Sequence, residues 1–378
     1  MKNITKEQFL TILIVLFAAG VRFGFLGRAP LSDFEADWAM QALNVSKSTS
    51  APIGPQPLYV LLTGFIFFVF GSSNFLARII PAIAGTLLVL APLLLQDKFG
   101  RKAALILAAG LAIDPGLIAA SRLAGSPIMA LCFTLMAIIM IIRVSPWIGG
   151  ILAGLAFLSG PSVFIGILSL GLTLLLIHWN PLSKGKNAFH LDILFSAKKD
   201  SYRKIGVGML GTILLVGTGL FLFPQGIGAF ADQIPAYFRG WGITAGVPVG
   251  RLLVSLFTYQ PLALILGSIG VALAWIKSEP QCKGLSLILG STLIMVFLYP
   301  SHQVLDLIWV IVPLWTLAAI WLARNFRVSD IEPISLGIGT ILIVLSVLVW
   351  MQLSGLQFNL GETQAVQWRW ILMGIISA

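Results

Sequence analysis

The feature that most constrains this chain is a series of apolar runs, many close to the roughly 20 residues that carry a helix across a hydrocarbon core of about 30 Å. They cover residues 9–25, 75–95, 103–120, 127–142, 147–158, 163–176, 205–223, 258–276, 285–298, 304–322 and 334–351. Apolar residues make up 58% of the chain, charged residues only 10%, and the mean hydropathy is +0.98. A soluble domain carries about 25% charged residues. Inside lipid every backbone polar group must be satisfied within the protein, so only helices and closed barrels cross it. A barrel reads as short alternating segments, which these runs are not. The expected architecture is an all-α polytopic membrane protein of about eleven transmembrane helices.

A further run, 58–70, is ambiguous, because 13 residues make a helix only about 20 Å long. Charge decides its placement. If this run stays at the surface, as an interfacial or re-entrant helix in the first outer loop, the N-terminus is cytoplasmic and the loops alternate. Sixteen of the 24 Lys and Arg residues then lie inside: Lys2, Lys6, Lys98, Arg101, Lys102, Arg143, Lys184, Lys186, Lys198, Lys199, Arg203, Lys204, Lys277, Lys283, Arg324 and Arg327. If it crossed, every later loop would invert and the Lys-rich segment 179–204 would face out. The eight basic residues left outside are Arg22, Arg28, Lys47, Arg78, Arg122, Arg239, Arg251 and Arg369, seven of them arginine. Planar guanidinium forks suit phosphate, although so small a count also fluctuates.

The net charge of +10 does not point to nucleic acid, since the basic residues sit in short loops between apolar runs. The two cysteines, Cys132 in an apolar run and Cys282 in a basic loop, predict neither a disulfide nor a thiolate metal site. The N-terminal run could be a signal peptide, but it continues to Phe25 and more runs come after it, so it reads as an uncleaved first span. The large outer segments are 26–74 and 224–257. Residues 1–180 are expected to carry the chemistry, and residues 181–378 to complete one integral-membrane unit. No span shows the paired, Gly- or Pro-broken helices in matching halves expected of many transporters.

Chemistry concentrates in Leu31-Ser32-Asp33-Phe34-Glu35-Ala36-Asp37, which holds three of the chain's fourteen acidic residues. Ser32 and Glu35 make a Ser-x-x-Glu capping box that starts a helix running to about Val45. Glu35 therefore has a structural role open to it as well as a chemical one. Asp33, at the helix start beside a membrane mouth, is a functional candidate, because a carboxylate near lipid needs a reason. Asp37, one turn on, is expected to face solvent. Arg122 either snorkels or binds phosphate. His302 lies in an outer turn and shares a face with Asp306 at i+4.

Taken in order, Asp33-Phe34-Glu35-Ala36 with Ala39 and Ala42, Gln56-Pro57-Leu58-Tyr59, Gly71, Arg78, Gly100-Arg101, Ser121-Arg122 and Pro313-Leu314 resemble the GT-C superfamily of membrane glycosyltransferases. The nearest branch is that of protein O-mannosyltransferases and lipid A aminoarabinose transferases. The resemblance is good over roughly residues 20–180 and thin beyond. It departs from the family at two points: Phe34 separates two acids that are usually adjacent, and Ser126 stands where a second acid is common.

The resemblance implies an inverting transfer of a hexose or pentose from a polyprenyl-phosphate-sugar donor to a lipid, glycan or protein acceptor, on the non-cytoplasmic face of the cell membrane. It implies Asp33 as general base, with Glu35 as helper, metal ligand or cap, and Arg78, Arg122 and Arg251 for the donor phosphate. Gln56, Tyr59 and His302 would contact substrate. No cofactor is required by the residues; a divalent cation, Mg or Mn, would be held by Asp33 and Glu35. Two other readings stay open: an inactive GT-C relative, which the Phe34 and Ser126 departures favour, and a lipid or solute transporter.

Overall fold

A computed structural model describes residues 6–49, 52–179, 199–243, 246–277 and 279–325. By contacts the chain divides into two compact units, Met1–Ala323 and Arg324–Ala378, and the candidate site lies in the first. The expected span 334–351, the segment 352–378 and Lys2, Lys184, Lys186, Lys198, Arg327 and Arg369 fall outside the described residues.

Every described element is a helix. The first is α1 (Lys6–Phe23), and after it come α2 (Asp33–Ser46), α3 (Pro57–Phe70), α4 (Asn74–Leu94) and a single turn, α5 (Gln96–Phe99). Then come α6 (Arg101–Ile113), α7 (Pro115–Ser121), α8 (Ile128–Arg143), α9 (Pro146–Leu158) and α10 (Val163–Trp179). The remainder are α11 (Lys199–Gly217), α12 (Gln225–Gly242), α13 (Val249–Tyr259), α14 (Pro261–Ile276), α15 (Pro280–Leu298), a 3₁₀ turn at Val304–Leu307 and α16 (Ile308–Asn325).

Contacts sort the loops into two ends. Arg101 pairs with Glu7 and Arg143 with Asp97, which gathers the start of α1, the α4–α6 link and the end of α8. At the other end, which carries α2, Arg78 at the head of α4 reaches the carbonyls of Leu26, Ala29 and Pro30 just after α1. The chain from Gly24 to Asn74, α3 included, therefore leaves and returns to the same end. Helix α3 is apolar and, at 14 residues, shorter than a full span. Small residues close the long contacts. Gly150, Gly154 and Gly208 have no room for a side chain between α9 and α11, where backbone meets backbone.

Length and apolarity alone allow three described helices to cross a bilayer: α4, α15, and the 3₁₀ turn with α16. The number rises to five if each of two bent pairs is one span. Helices α3, α8, α9 and α10 are apolar but shorter. The eleven expected spans are thus not matched one for one by long straight helices.

Two pairs of described helices are sharply bent. Helices α6 and α7 meet at 61°, and α13 and α14 at 91°. Both breaks are X-Pro steps, Asp114-Pro115 and Gln260-Pro261. Proline lacks the N–H of the ladder and pushes the preceding residue out of helix; Asp114 sits at φ −61°, ψ 120°.

The polar groups freed at the first break are answered by side chains. Asp114 caps α7 by accepting the Leu117 N–H at 2.9 Å. Arg22, wholly buried in α1, donates to the last carbonyls of α6, Leu111 at 3.0 Å and Ala112 at 3.3 Å. The same carboxylate accepts the Gln260 amide at 2.9 Å and the Trp315 indole N–H at 2.7 Å. The two breaks are therefore tied to each other and to α16 through one buried aspartate.

Candidate functional site

The site is assembled on the first turn of α2. Ser32 is the N-cap; its hydroxyl accepts from the Glu35 N–H, and the Glu35 carboxylate reaches back to the Ser32 N–H at 3.0 Å. This is the capping box expected from Ser-x-x-Glu. The carboxylate does more than cap. Oε1 accepts from Arg78 Nε at 2.6 Å and from the Ala124 N–H at 3.0 Å. Oε2 accepts from Arg78 Nη2 at 2.8 Å and from the Ser32 hydroxyl at 3.1 Å. Glu35 is 1% exposed and Arg78 4%. This is a buried bidentate pair whose partners come from the α1–α2 link, α4 and the turn 121–126. Burial pushes the Glu35 carboxyl up, but the Arg78 guanidinium and the Ala124 and Ser32 N–H groups outweigh it and leave the pKa below the ordinary value.

The turn 121–126 packs on the other side of α2. Gly125 has φ +68°, and a Cβ there would strike the Trp38 indole. Its carbonyl accepts from Gln56 Nε2 at 3.0 Å. Trp38 sits edge-on to Tyr59 at 6.5 Å and to Phe34 at 6.3 Å. Trp38 and the Ala124 N–H are site-building groups that sequence reasoning missed. Trp38 could have been found as the residue one turn beyond Phe34; a backbone N–H leaves no signal in sequence.

Of the acids predicted for the site, Asp33 is exposed, in the first turn of α2, and its carboxylate makes no hydrogen bond among the described residues. Asp37 is exposed, as expected. Arg78 spends all five of its N–H donors inside the protein, on Glu35, Leu26, Ala29 and Pro30, so none remains for a phosphate in this arrangement.

Arg122 donates through Nη1 alone, to Val21 at 2.6 Å, Arg22 at 3.2 Å and Gly24 at 2.7 Å, which closes the end of α1. Its Nε and Nη2 have no hydrogen-bond partner among the described residues. Burial, and then the Arg78 charge, lower its pKa. Glu35 neutralises Arg78, so Arg122 carries the uncompensated positive charge of this cluster.

Tyr59 is fully buried and donates to the Ala77 carbonyl at 2.8 Å. His302 is 3% exposed, with Nδ1 2.6 Å from the Tyr299 carbonyl and Nε2 2.7 Å from that of Val247. It fastens the α12–α13 link to the α15–α16 turn. Asp306 does not pair with it, because the helix begins after His302. Asp306 is instead the capping residue of the 3₁₀ turn and accepts the Gln303 N–H at 2.8 Å. Arg251 is exposed on α13. The structure therefore gathers Asp33, Glu35, Gln56, Tyr59, Arg78 and Arg122 around α2 and the turn 121–126. It brings neither His302 nor Arg251 into contact with them.

A divalent cation fits these residues poorly. Both Glu35 oxygens are filled by five hydrogen bonds, and no group of three His, Cys, Asp or Glu side chains converges among the described residues.

By sequence, no family model and no curated protein matches the chain. By structure, the crystal structure of ArnT from Cupriavidus metallidurans bound to undecaprenyl phosphate matches with a TM-score of 0.59 and 18% identity, covering 93% of this chain. The fold is that of ArnT. The chain spans 66% of the length of that protein. An ArnT-like fold is what the resemblance to GT-C membrane glycosyltransferases implied, and the long apolar helices of this chain are those of a multi-pass membrane protein. At 18% identity the shared feature is the fold, and residue roles rest on the geometry above.

Proposed function

We propose that this protein is an integral-membrane glycosyltransferase that moves a sugar from a polyprenyl-phosphate donor to an acceptor hydroxyl or amine at the α2 end, on the non-cytoplasmic face of the cell membrane. The observation that carries the reading is the division of labour in the α2 cluster on an ArnT-like fold. Glu35 and Arg78 are consumed in a buried frame, while the carboxylates of Asp33 and Asp37 and the Nε and Nη2 of Arg122 have no hydrogen-bond partner among the described residues; of the two acids, Asp33 stands in the first turn of α2. In this reading Asp33 takes the proton from the acceptor as it attacks the anomeric carbon. The C–O bond to phosphate breaks on the opposite face, and Arg122 stabilises the departing charge. The positive charge comes from arginine, and no step is routed through a metal. The fold likeness to a protein solved with undecaprenyl phosphate supports a lipid-phosphate carrier.

A second reading has its own observation. Phe34, 49% exposed, holds the place at which the family resemblance expects an acid. If Asp33 cannot replace that acid, the protein binds the carrier without transfer. Asp33→Asn decides between them. The variant should insert and fold as wild type while transfer from a polyprenyl-phosphate-sugar falls at least about 100-fold. Undiminished transfer by this variant would end the assignment of Asp33.

A further inference from the structure

Helix α12 carries three unlike faces. Side chains three or four residues apart share one side of a helix. Gly226, Ala229, Gln233, Tyr237 and Gly240 make one face, and all five are buried. The Gln233 amide is enclosed there without a hydrogen-bond partner. Ile227, Ala231, Ile234, Phe238 and Trp241 make a second face, about a third of a turn further round. It is apolar and exposed throughout, with Phe238 at 65% and Ile234 at 47%. Gln225, Asp232 and Arg239 mark the third face, which is exposed and polar.

The buried face shows where α12 lies. At its start Gly226 has no room for a side chain against the carbonyl of Gly217, the last residue of α11, and it sits beside Leu61 of α3. At its end Gly240 makes room for the hydroxyl of Tyr299, just past α15, and that hydroxyl donates to the Tyr237 carbonyl at 3.2 Å. Between them the Tyr237 ring lies 5.2 Å from that of Phe164, at the start of α10. These neighbours all belong to one end of the bundle. Gly217 meets Leu158, the last residue of α9. The link that follows α9 sets Gly160 against Gln56, which is bonded to the turn beside α2. Ser162 in the same link accepts from the indole of Trp309, at the start of α16. With 18 residues α12 is about 27 Å long. Both its ends stay at the α2 end, so it lies across that end and does not pass through the bundle.

We propose that the apolar face from Ile227 to Trp241 is a lipid-docking surface, on which α12 lies in the plane of the leaflet at the α2 end, with Asp232 and Arg239 toward water. Two observations select lipid over a second copy of the chain. The apolar face continues into Leu220, Phe221 and Leu222 in the link before α12, which are 70%, 67% and 76% exposed, and from there to the exposed Leu210 and Leu214 of α11. Helix α11 holds most of the apolar run 205–223, expected to span, so the surface is continuous with one that meets hydrocarbon. Charge is absent from the apolar face and confined to the opposite third, the division found in helices that lie on a membrane. The anchor itself needs only the membrane class of the chain. Its consequence for transfer rests on the glycosyltransferase reading: α12 holds the α2 cluster near the depth of lipid phosphates.

The test uses the full chain reconstituted in phosphatidylcholine vesicles and spin-labelled at one introduced cysteine. Wild type controls for labelling of the buried Cys132 and Cys282. Ile234→Cys and Phe238→Cys report the apolar face, and Asp232→Cys and Arg239→Cys the polar one. Ile83→Cys, at a 41% exposed position in the middle of α4, reports the depth of a spanning helix. Power-saturation EPR compares access of oxygen, which partitions into lipid, with access of a water-soluble nickel chelate. We expect the oxygen-to-nickel ratio to be several-fold higher for labels at Ile234 and Phe238 than at Asp232 and Arg239, at a depth of about 5–10 Å and shallower than at Ile83. Nickel access at Ile234 and Phe238 equal to that at Asp232 and Arg239 puts the apolar face in water and overturns the surface. A depth equal to that at Ile83 makes α12 a span and overturns it as well. Protection of Ile234 and Phe238 from both reagents means that protein covers them, a second copy or another part of this chain, and overturns it too. Transfer activity is not a readout, so failure of the anchor leaves the glycosyltransferase reading to Asp33→Asn.

Discussion

Replacing Glu35 with Gln is the sharpest perturbation of the frame under the site. The side chain keeps its shape and loses its charge. With the amide oxygen in the place of Oε1, the new NH₂ group faces Arg78 Nη2, the Ser32 N–H and the Ser32 hydroxyl, which stand at 2.8, 3.0 and 3.1 Å. The two N–H groups are donors that the new NH₂ cannot accept from. Arg78, 4% exposed, is left as a buried cation with only three backbone carbonyls and one amide oxygen. Breaking a buried pair by removing one partner costs about 3–5 kcal/mol. The assay is thermal unfolding in detergent, read by a thiol-reactive dye, since Cys132 and Cys282 are buried thiols in no disulfide. The midpoint should fall by several degrees. Glu35→Gln combined with Arg78→Met should recover a substantial part of the loss, because the stranded charge is gone. A Glu35→Gln variant as stable as wild type, yet as inactive as Asp33→Asn, would refute the structural role and make Glu35 part of the chemistry.

The same geometry bears on pH, phosphate binding and the turn that packs on α2. The Glu35 pKa is lower folded than its ordinary value of 4.5, so the carboxylate contributes stability above that pH and loses it on acidification below. Unfolding midpoints measured downward from pH 5 should drop more steeply for wild type than for the Glu35→Gln, Arg78→Met double variant. Arg122→Gln gives up the hydrogen bonds to the end of α1, so its unfolding midpoint should fall, and below that midpoint it should weaken binding of undecaprenyl phosphate at least about tenfold; unchanged binding would remove Arg122 from the phosphate site. Gly125→Ala combines a left-handed backbone position, φ +68°, with a collision against Trp38. It should destabilise by about 1–3 kcal/mol and displace α2, visible as a lower midpoint and a changed tryptophan spectrum.

The capping box at Ser32 was legible because its logic is local: four consecutive residues supply both hydrogen bonds. The exposure of Asp37, one turn beyond Asp33, could be read from its place in the helix. The role of Arg78 could not. Arginine in an outer loop reads equally as a phosphate ligand and as an ion-pair partner, and only the approach of α4 to α2, 43 residues apart in sequence at this pair, spends its donors on Glu35. His302 and Asp306 misled for a related reason. Their i+4 spacing implies a shared face only if one helix contains both, and this one starts after His302.

By itself the sequence determined the all-helical membrane class and the start of α2, because burial of apolar runs and N-capping depend on residues close in the chain. Tertiary structure alone decided which polar groups remain available. Asp114 is consumed by Gln260 and Trp315, which are 146 and 201 residues away, and Glu35 by Arg78 and the Ala124 N–H. Asp33, Arg122 and Gln233 keep unpaired polar atoms. A hydrogen-bonding group has a fixed number of partners, and long-range packing assigns them.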